Sequence, residues 1–217
     1  KSDFKKFFNN KVFIDGNKWT IMAGDYKINN TLITPMDVHL VLQPATNIKL
    51  GPNVSFLVRG DLTALGSEES NITFSAINKN QAFGSLAVLG SSSNLRKVNL
   101  KHFQISDGNE SILLGTYFSG QMSIHHANVI IEHSMFSNSN SDDGLNIKNS
   151  SVLVNDSEFI GNSGDGFDCD FCVGKISNNF FEGLAIYDTT GDGTDGFDVS
   201  GSNMDIENNR FKGFSDK

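Results

Sequence analysis

Carboxylates recur at set intervals in the C-terminal third of the chain. Asp143, Asp165 and Asp195 each precede Gly and a short apolar–polar alternation: Asp143-Gly-Leu-Asn-Ile, Asp165-Gly-Phe-Asp-Cys, Asp195-Gly-Phe-Asp-Val. Asp216 opens a fourth copy, and the starts lie 22, 30 and 21 residues apart. A second acidic set sits inside the copies: Asp168, Asp170 and Asp198, with Asp192 in the longest copy. Carboxylates at this density suit two kinds of chemistry. Paired, they serve as acid and base in cleaving a glycosidic bond. Clustered, they hold a hard cation, and oxygen donors suit calcium better than a transition metal. Stacked ~4.8 Å apart on neighbouring strands, two carboxylates repel by roughly 0.9 kcal/mol in water and roughly 3.5 kcal/mol at an effective dielectric of 20. Such a stack needs hydrogen bonds, a raised pKa or a bound ion. The plainer reading of the Asp-Gly column is a chain corner, where Asp accepts backbone N–H bonds and Gly takes a positive φ.

The candidate catalytic residues are therefore Asp168, Asp198 and Lys148. Candidate substrate contacts are His125, Lys148, Asp170 and Tyr187, and candidate calcium ligands are Asp168, Asp170, Asp198 and Asp192. Tyr187 and Asp192 belong to an insertion near Leu184–Thr194 that lengthens the middle copy. A loop bulging from a regular array is either where function sits or a tolerated surface insertion. His125 and His126 are adjacent in a strand and so point to opposite faces. Cys169 aligns with Ile147 and Val199 and reads as core. Cysteines three apart in extended chain lie ~10 Å apart, beyond disulfide reach, unless a bend at Phe171 shortens the span.

The elements that position these residues follow from the repeat. Each copy holds two apolar–polar alternations, so each supplies short strands with one face inward. The first stripe reads Met122/Ile124, Leu145/Ile147, Phe167/Cys169 and Phe197/Val199. The second reads Val98/Leu100, Val129/Ile131, Val152/Val154, Gly174/Ile176 and Met204/Ile206. A third column reads Ile105, Phe136, Phe159, Phe181 and Phe211. The outward positions of the first stripe, Ser123, Asn146, Asp168 and Asp198 with His125, Lys148, Asp170 and Ser200, are all polar and predict a solvated face. His102, His133, Asp156, Asn178 and Asn208 form a corner column, at which an Asn ladder is expected.

Short strands also precede the repeats: Val12–Ile14, Trp19–Met22, Tyr26–Ile28, Val38–Leu42, Asn47–Leu50, Val54–Val58 and Ile72–Phe74, with a further strand and corner at Gly60–Gly66. Residues 3–10 predict one or two helical turns with Asp3 as N-cap. A period near 22 with strands inside it excludes ankyrin, tetratricopeptide and HEAT arrays, which are longer and helical. It predicts an all-β right-handed parallel β-helix over 19–217, open at its C-terminal end. Residues 1–18 form a short N-terminal helical cap. About nine or ten rungs at the sheet spacing would give a rod of roughly 45 Å.

The net charge of −8 argues against nucleic acid or an anionic membrane as partner. No stretch reaches the length of a membrane span. The chain starts at Lys1 without Met, which predicts a processed or trimmed product. It stops on the first residues of another copy, which predicts either an excerpt or end-to-end stacking of copies.

Residues 19–217 resemble the right-handed parallel β-helix superfamily of pectate-lyase-like folds, from Gly24-Asp-Tyr-Lys-Ile through Leu62-Thr-Ala-Leu-Gly66 onward. Asp143-Gly-Leu-Asn-Ile-Lys, Asp195-Gly-Phe-Asp-Val-Ser-Gly-Ser and Phe214-Ser-Asp-Lys more specifically resemble β-helix modules beside spore-coat-type kinase-like domains in bacterial surface proteins. The resemblance is specific for fold and not for activity; the expected role is a secreted or surface-exposed scaffold that binds glycan, and calcium, read from the carboxylates, is the one expected cofactor. The alternatives are a polysaccharide lyase or hydrolase on the acidic face, and a self-stacking fibre subunit. Polygalacturonases of this superfamily use three carboxylates on successive coils, a His and an Arg-x-Lys. Asp142-Asp143, Asp165 and Arg210-Phe-Lys212 imitate that set, but Gly166 replaces one carboxylate and no His follows His133. A lyase would use Lys148 as base beside Asp168.

Overall fold

The computed structural model describes residues 2–184 and 194–214, with backbone alone for Ser2 and Asp3. Among the described residues the fold is all-β apart from one helix, Ser2–Phe7, and its strands are mostly parallel. Among the described residues, three sheets of nine, seven and eight strands carry the architecture, and a two-stranded hairpin is added to them. The chain visits the three large sheets in rotation. From Ala127–Glu132 it passes to Met135–Ser137, then Asp143–Lys148, and returns to the first sheet at Ser151–Asn155. This topology is compatible with a solenoid.

Apolar alternation sets the register. Met122, Leu145, Phe167 and Phe197 stack in line, as do Ile124, Ile147, Cys169 and Val199. Val98, Val129, Val152, Gly174 and Met204 form the second column. The third column holds Phe136, Phe159, Phe181 and Phe211, with ring centroids 5.1, 4.7 and 4.7 Å apart and planes within 9°. Strand spacing therefore dictates ring spacing, and each fully buried ring adds about 1.5–3 kcal/mol of burial. Phe4 and Phe8 close the N-terminal end against Trp19, Tyr26 and Phe56. The helix begins at Ser2, one residue before the Asp3 cap expected from sequence. The ladder in the first sheet has eight parallel strands and one antiparallel strand, Val12–Asp15, against the nine or ten rungs expected. Excursions outside the ladder, such as the hairpin at 111–118, take up the remaining length.

The corners hold in an unexpected way. His102, His133, Asp156, Asn178 and Asn208 all adopt left-handed backbone, φ +44° to +58°. The ladder expected at Asn178 and Asn208 runs one residue later. The Phe103 amide donates to Ser134 Oγ, Ser134 to Ser157 Oγ, Ser157 to Asn179 Oδ1, and Asn179 to Asn209 Oδ1. Left-handed residues turn their own side chains outward, so the next position faces the corner amides and satisfies them.

Cys169 and Cys172 form a disulfide with Cα atoms 6.0 Å apart, which corrects the expectation of two separate thiols. Phe171 takes φ +55° between them, so the extended-chain distance does not apply.

Candidate functional site

The outer face of the seven-stranded sheet changes character along the stack. Leu57 and Ala87 are followed in register by Ser123, Asn146, Asp168 and Asp198. Beside them, Leu89 is followed by His125, Lys148, Asp170 and Ser200. The apolar part is covered. Ser111–Leu113 and Thr116–Phe118 pair as a hairpin whose turn residues, Leu114 (φ +52°) and Gly115 (φ +79°), both need left-handed backbone. Leu113 and Phe118 bury against Leu57 and Ala87, and the Phe118 ring lies 4.9 Å from His125. Ser123 and Asn146 are fully buried and His125 nearly so, which corrects the expectation of a solvated face at these three, whereas Asp198 and Ser200 are exposed as expected.

Beneath the hairpin a polar chain crosses three strands. His125 Nε2 sits 3.2 Å from Asn146 Oδ1, and Asn146 Nδ2 donates to Asp168 Oδ2 at 2.6 Å. Burial pulls the His125 pKa down to about 4, with the Asn146 hydrogen bond opposing. The ring is thus neutral at pH 7 and donates to the amide oxygen. Asp168 is pushed up to about 7, by burial first and then by the charges of Asp170 and Asp198. Its Oδ1 is buried without a hydrogen-bond partner. Lys148 Nζ reaches Asp170 Oδ2 at 2.8 Å. Burial alone would lower the lysine, but the Asp170 bond and the charges of Asp170, Asp168 and Asp143 outweigh it and raise the pKa.

The Asp-Gly column borders this chain. Asp143 and Asp165 stand in register on adjacent strands. A Cβ on Gly144 would lie 2.5 Å from Asn162 Nδ2, and one on Gly166 would lie 2.6 Å from the Gly196 carbonyl and 3.2 Å from Phe181. These glycines are there for space and not for positive φ, since neither has one. Gly166 faces the core rings of Phe159 and Phe181, and Gly144 faces the buried side chain of Asn162. Asp143 is 3 % exposed, and burial followed by the charges of Asp168, Asp142 and Asp165 pushes it up to about 8, against a contact with Ser119. Asp165 rises to about 6, mainly by burial, although its Oδ1 accepts the Asp195 amide at 2.8 Å. Asp216 lies outside the described residues.

An open cleft of about 600 Å³ runs between the hairpin and these strand starts. Glu110 and Tyr117 line its wall; Asn140, Ser141, Asp142, Ser163, Gly164, Asp165 and Thr194 line the rest. Tyr117 is half exposed, and burial and the charges of Glu110, Asp142 and Asp143 raise its hydroxyl pKa.

Asp168, Asp198, Lys148, His125 and Asp170 therefore do share one face. Tyr187 and Asp192 lie outside the described residues. Among the described residues no three His, Cys, Asp or Glu side chains converge as metal ligands. Asp170 is taken by Lys148, and Asp198 Oδ1 accepts its neighbour's amide, Val199 N, at 2.6 Å. Arg210 and Lys212 belong to the eight-stranded sheet, away from the carboxylates. Arg210 caps the Phe180 ring at 4.4 Å and Lys212 pairs with Glu182. Sequence reasoning missed Glu110 and Tyr117. The signal available was Ile112–Phe118, two apolar runs around Gly115.

No family model matches the chain, and neither the curated proteins nor the solved structures contain a match. No helix among the described residues is long and apolar enough to cross a membrane.

Proposed function

We propose that the chain is a right-handed parallel β-helix of the pectate-lyase-like kind, with about 22 residues per coil. In this reading it is a secreted or surface-exposed module that binds glycan in the cleft at Tyr117. The observation that carries the reading is a half-exposed tyrosine ring standing over a floor of hydroxyl, amide and carboxyl groups. A sugar ring offers an apolar face for stacking and a rim of hydroxyls for hydrogen bonds, and this wall and floor complement both. The Cys169–Cys172 disulfide supports an oxidising compartment. The acidic lining disfavours uronate polymers and with them the lyase. Screening the protein against neutral, acidic and amine-bearing oligosaccharides by calorimetry tests the reading. Tyr117→Ala should weaken the best ligand about tenfold, the loss of roughly 1.4 kcal/mol of stacking. Failure of every glycan to bind would overturn it.

A second reading, glycoside hydrolase, draws on one observation. Asp143, Asp165 and Asp168 are all shifted toward neutrality on two adjacent strands, so some are protonated and some ionised at pH 7. An acid and a base can coexist there. Reducing-end release that disappears in Asp168→Asn would favour it over simple binding.

A further inference from the structure

We infer that the cleft selects an amine-bearing glycan, one whose sugar units carry free ammonium groups, over neutral or acidic glycans. The inference rests on the glycan-binding reading and sharpens its ligand class. Among the described residues three carboxylates, Glu110, Asp142 and Asp165, line the cleft, and none of its described lining residues is Lys or Arg. The nearby cation, Lys148, is occupied by Asp170 at 2.8 Å. Next in the chain to the lining residue Asp142 stands Asp143, 97 % buried, in contact with Ser119 but with no hydrogen bond of ordinary geometry at Oδ2. It is close enough to Tyr117 and Asp165 to perturb or be perturbed by their ionisation. Burial and the neighbouring carboxylates keep a proton on Asp143 at pH 7, and a positive charge in the cleft would favour its ionised form. An ammonium group would satisfy the negative potential there, and the Tyr117 face adds cation–π attraction to ring stacking. A neutral sugar gains only the stacking and hydroxyl bonds, and a uronate meets like charge.

The test is calorimetric titration with an oligomer of glucosamine, its fully N-acetylated counterpart, an oligogalacturonate and an oligolysine peptide, each at two salt concentrations. The expected result is binding of the glucosamine oligomer at least about tenfold tighter than its acetylated form, weakening as salt rises. Glu110→Gln, at the cleft edge, should reduce that preference about threefold without lowering the melting temperature. Asp165→Asn should do the same, since its amide oxygen can still accept the Asp195 N–H. Equal affinity for the acetylated oligomer would overturn the inference and leave the glycan reading intact. Tighter binding of oligolysine than of any sugar would overturn both, as would no binding at all. Preference for the galacturonate would also overturn the inference.

Discussion

Replacing Asp143 by Asn should stabilise the protein, and by an amount that grows with pH. A carboxyl at the ordinary 3.8 in the unfolded chain stands near 8 in the folded one, because folding buries it beside Asp168, Asp142 and Asp165. A raised carboxyl gives its full stability contribution below the unfolded pKa. That contribution is lost as pH rises toward the folded pKa, because the unfolded chain ionises freely while the folded protein must hold the proton. At pH 7 the solution is about three pH units above the unfolded pKa and still below the folded one. At 1.36 kcal/mol per unit the folded state has then forgone about 4 kcal/mol. Above pH 8 the difference levels off near 5–6 kcal/mol on the same scale. Asn has the same shape and no charge, so it escapes this term. For a chain of this length about 4 kcal/mol corresponds to a midpoint rise of roughly 8–16 °C at pH 7.

The assay is thermal or urea unfolding of wild type and Asp143→Asn from pH 4 to 9, read as the difference between the two. Subtraction removes titrations common to both proteins. Near pH 4 the curves should nearly meet, and they should diverge steadily up to pH 8. The charges of Asp165 and Asp168 both raise Asp143, so the double variants should gain less than the sum of the singles. Parallel curves, or a wild type that gains on the variant between pH 5 and 8, would refute a buried, proton-holding Asp143.

Three other outcomes follow from the packing. Phe159→Ala, in the middle of the ring stack, should cost about 3–5 kcal/mol in chemical unfolding, whereas Phe211→Ala, about half exposed at the last described rung, should cost less. Phe118→Ala should uncover His125, so the imidazole titration followed by NMR should move up from about 4 toward 6.5, while an unmoved value would mean that the hairpin is not what dries it. Reduction of Cys169–Cys172 should cost no more than about 2 kcal/mol, since the bridge closes a loop of only a few residues, and the fold's circular dichroism should survive.

Much of the frame was legible in the residues because a strand's side chains alternate with period two and parallel stacking repeats like upon like. The Met122, Leu145, Phe167, Phe197 column could be written down from spacing alone, and the structure pairs those residues in register. What alternation cannot reveal is whether a face is covered. Ser123, Asn146 and His125 alternate as solvated residues do, yet all three are buried, and the hairpin just upstream sets Phe118 against His125. Its turn was disguised, since Leu114 occupies a left-handed position that Asn, Asp or Gly usually mark. The same backbone conformation hid the disulfide, because Phe171 is a residue that seldom turns left-handed.

These misreadings share a consequence for the site. On the sequence alone the stacked aspartates called for hydrogen bonds, a raised pKa or a bound ion. In the structure burial pushes Asp143, Asp165 and Asp168 toward holding protons, and Asn146 and Lys148 contact Asp168 and Asp170. The hairpin that sets Phe118 against His125 also places Tyr117 on the cleft wall. One element thus serves both the low-pKa histidine and the aromatic wall, so hairpin variants should move binding and the His125 titration together.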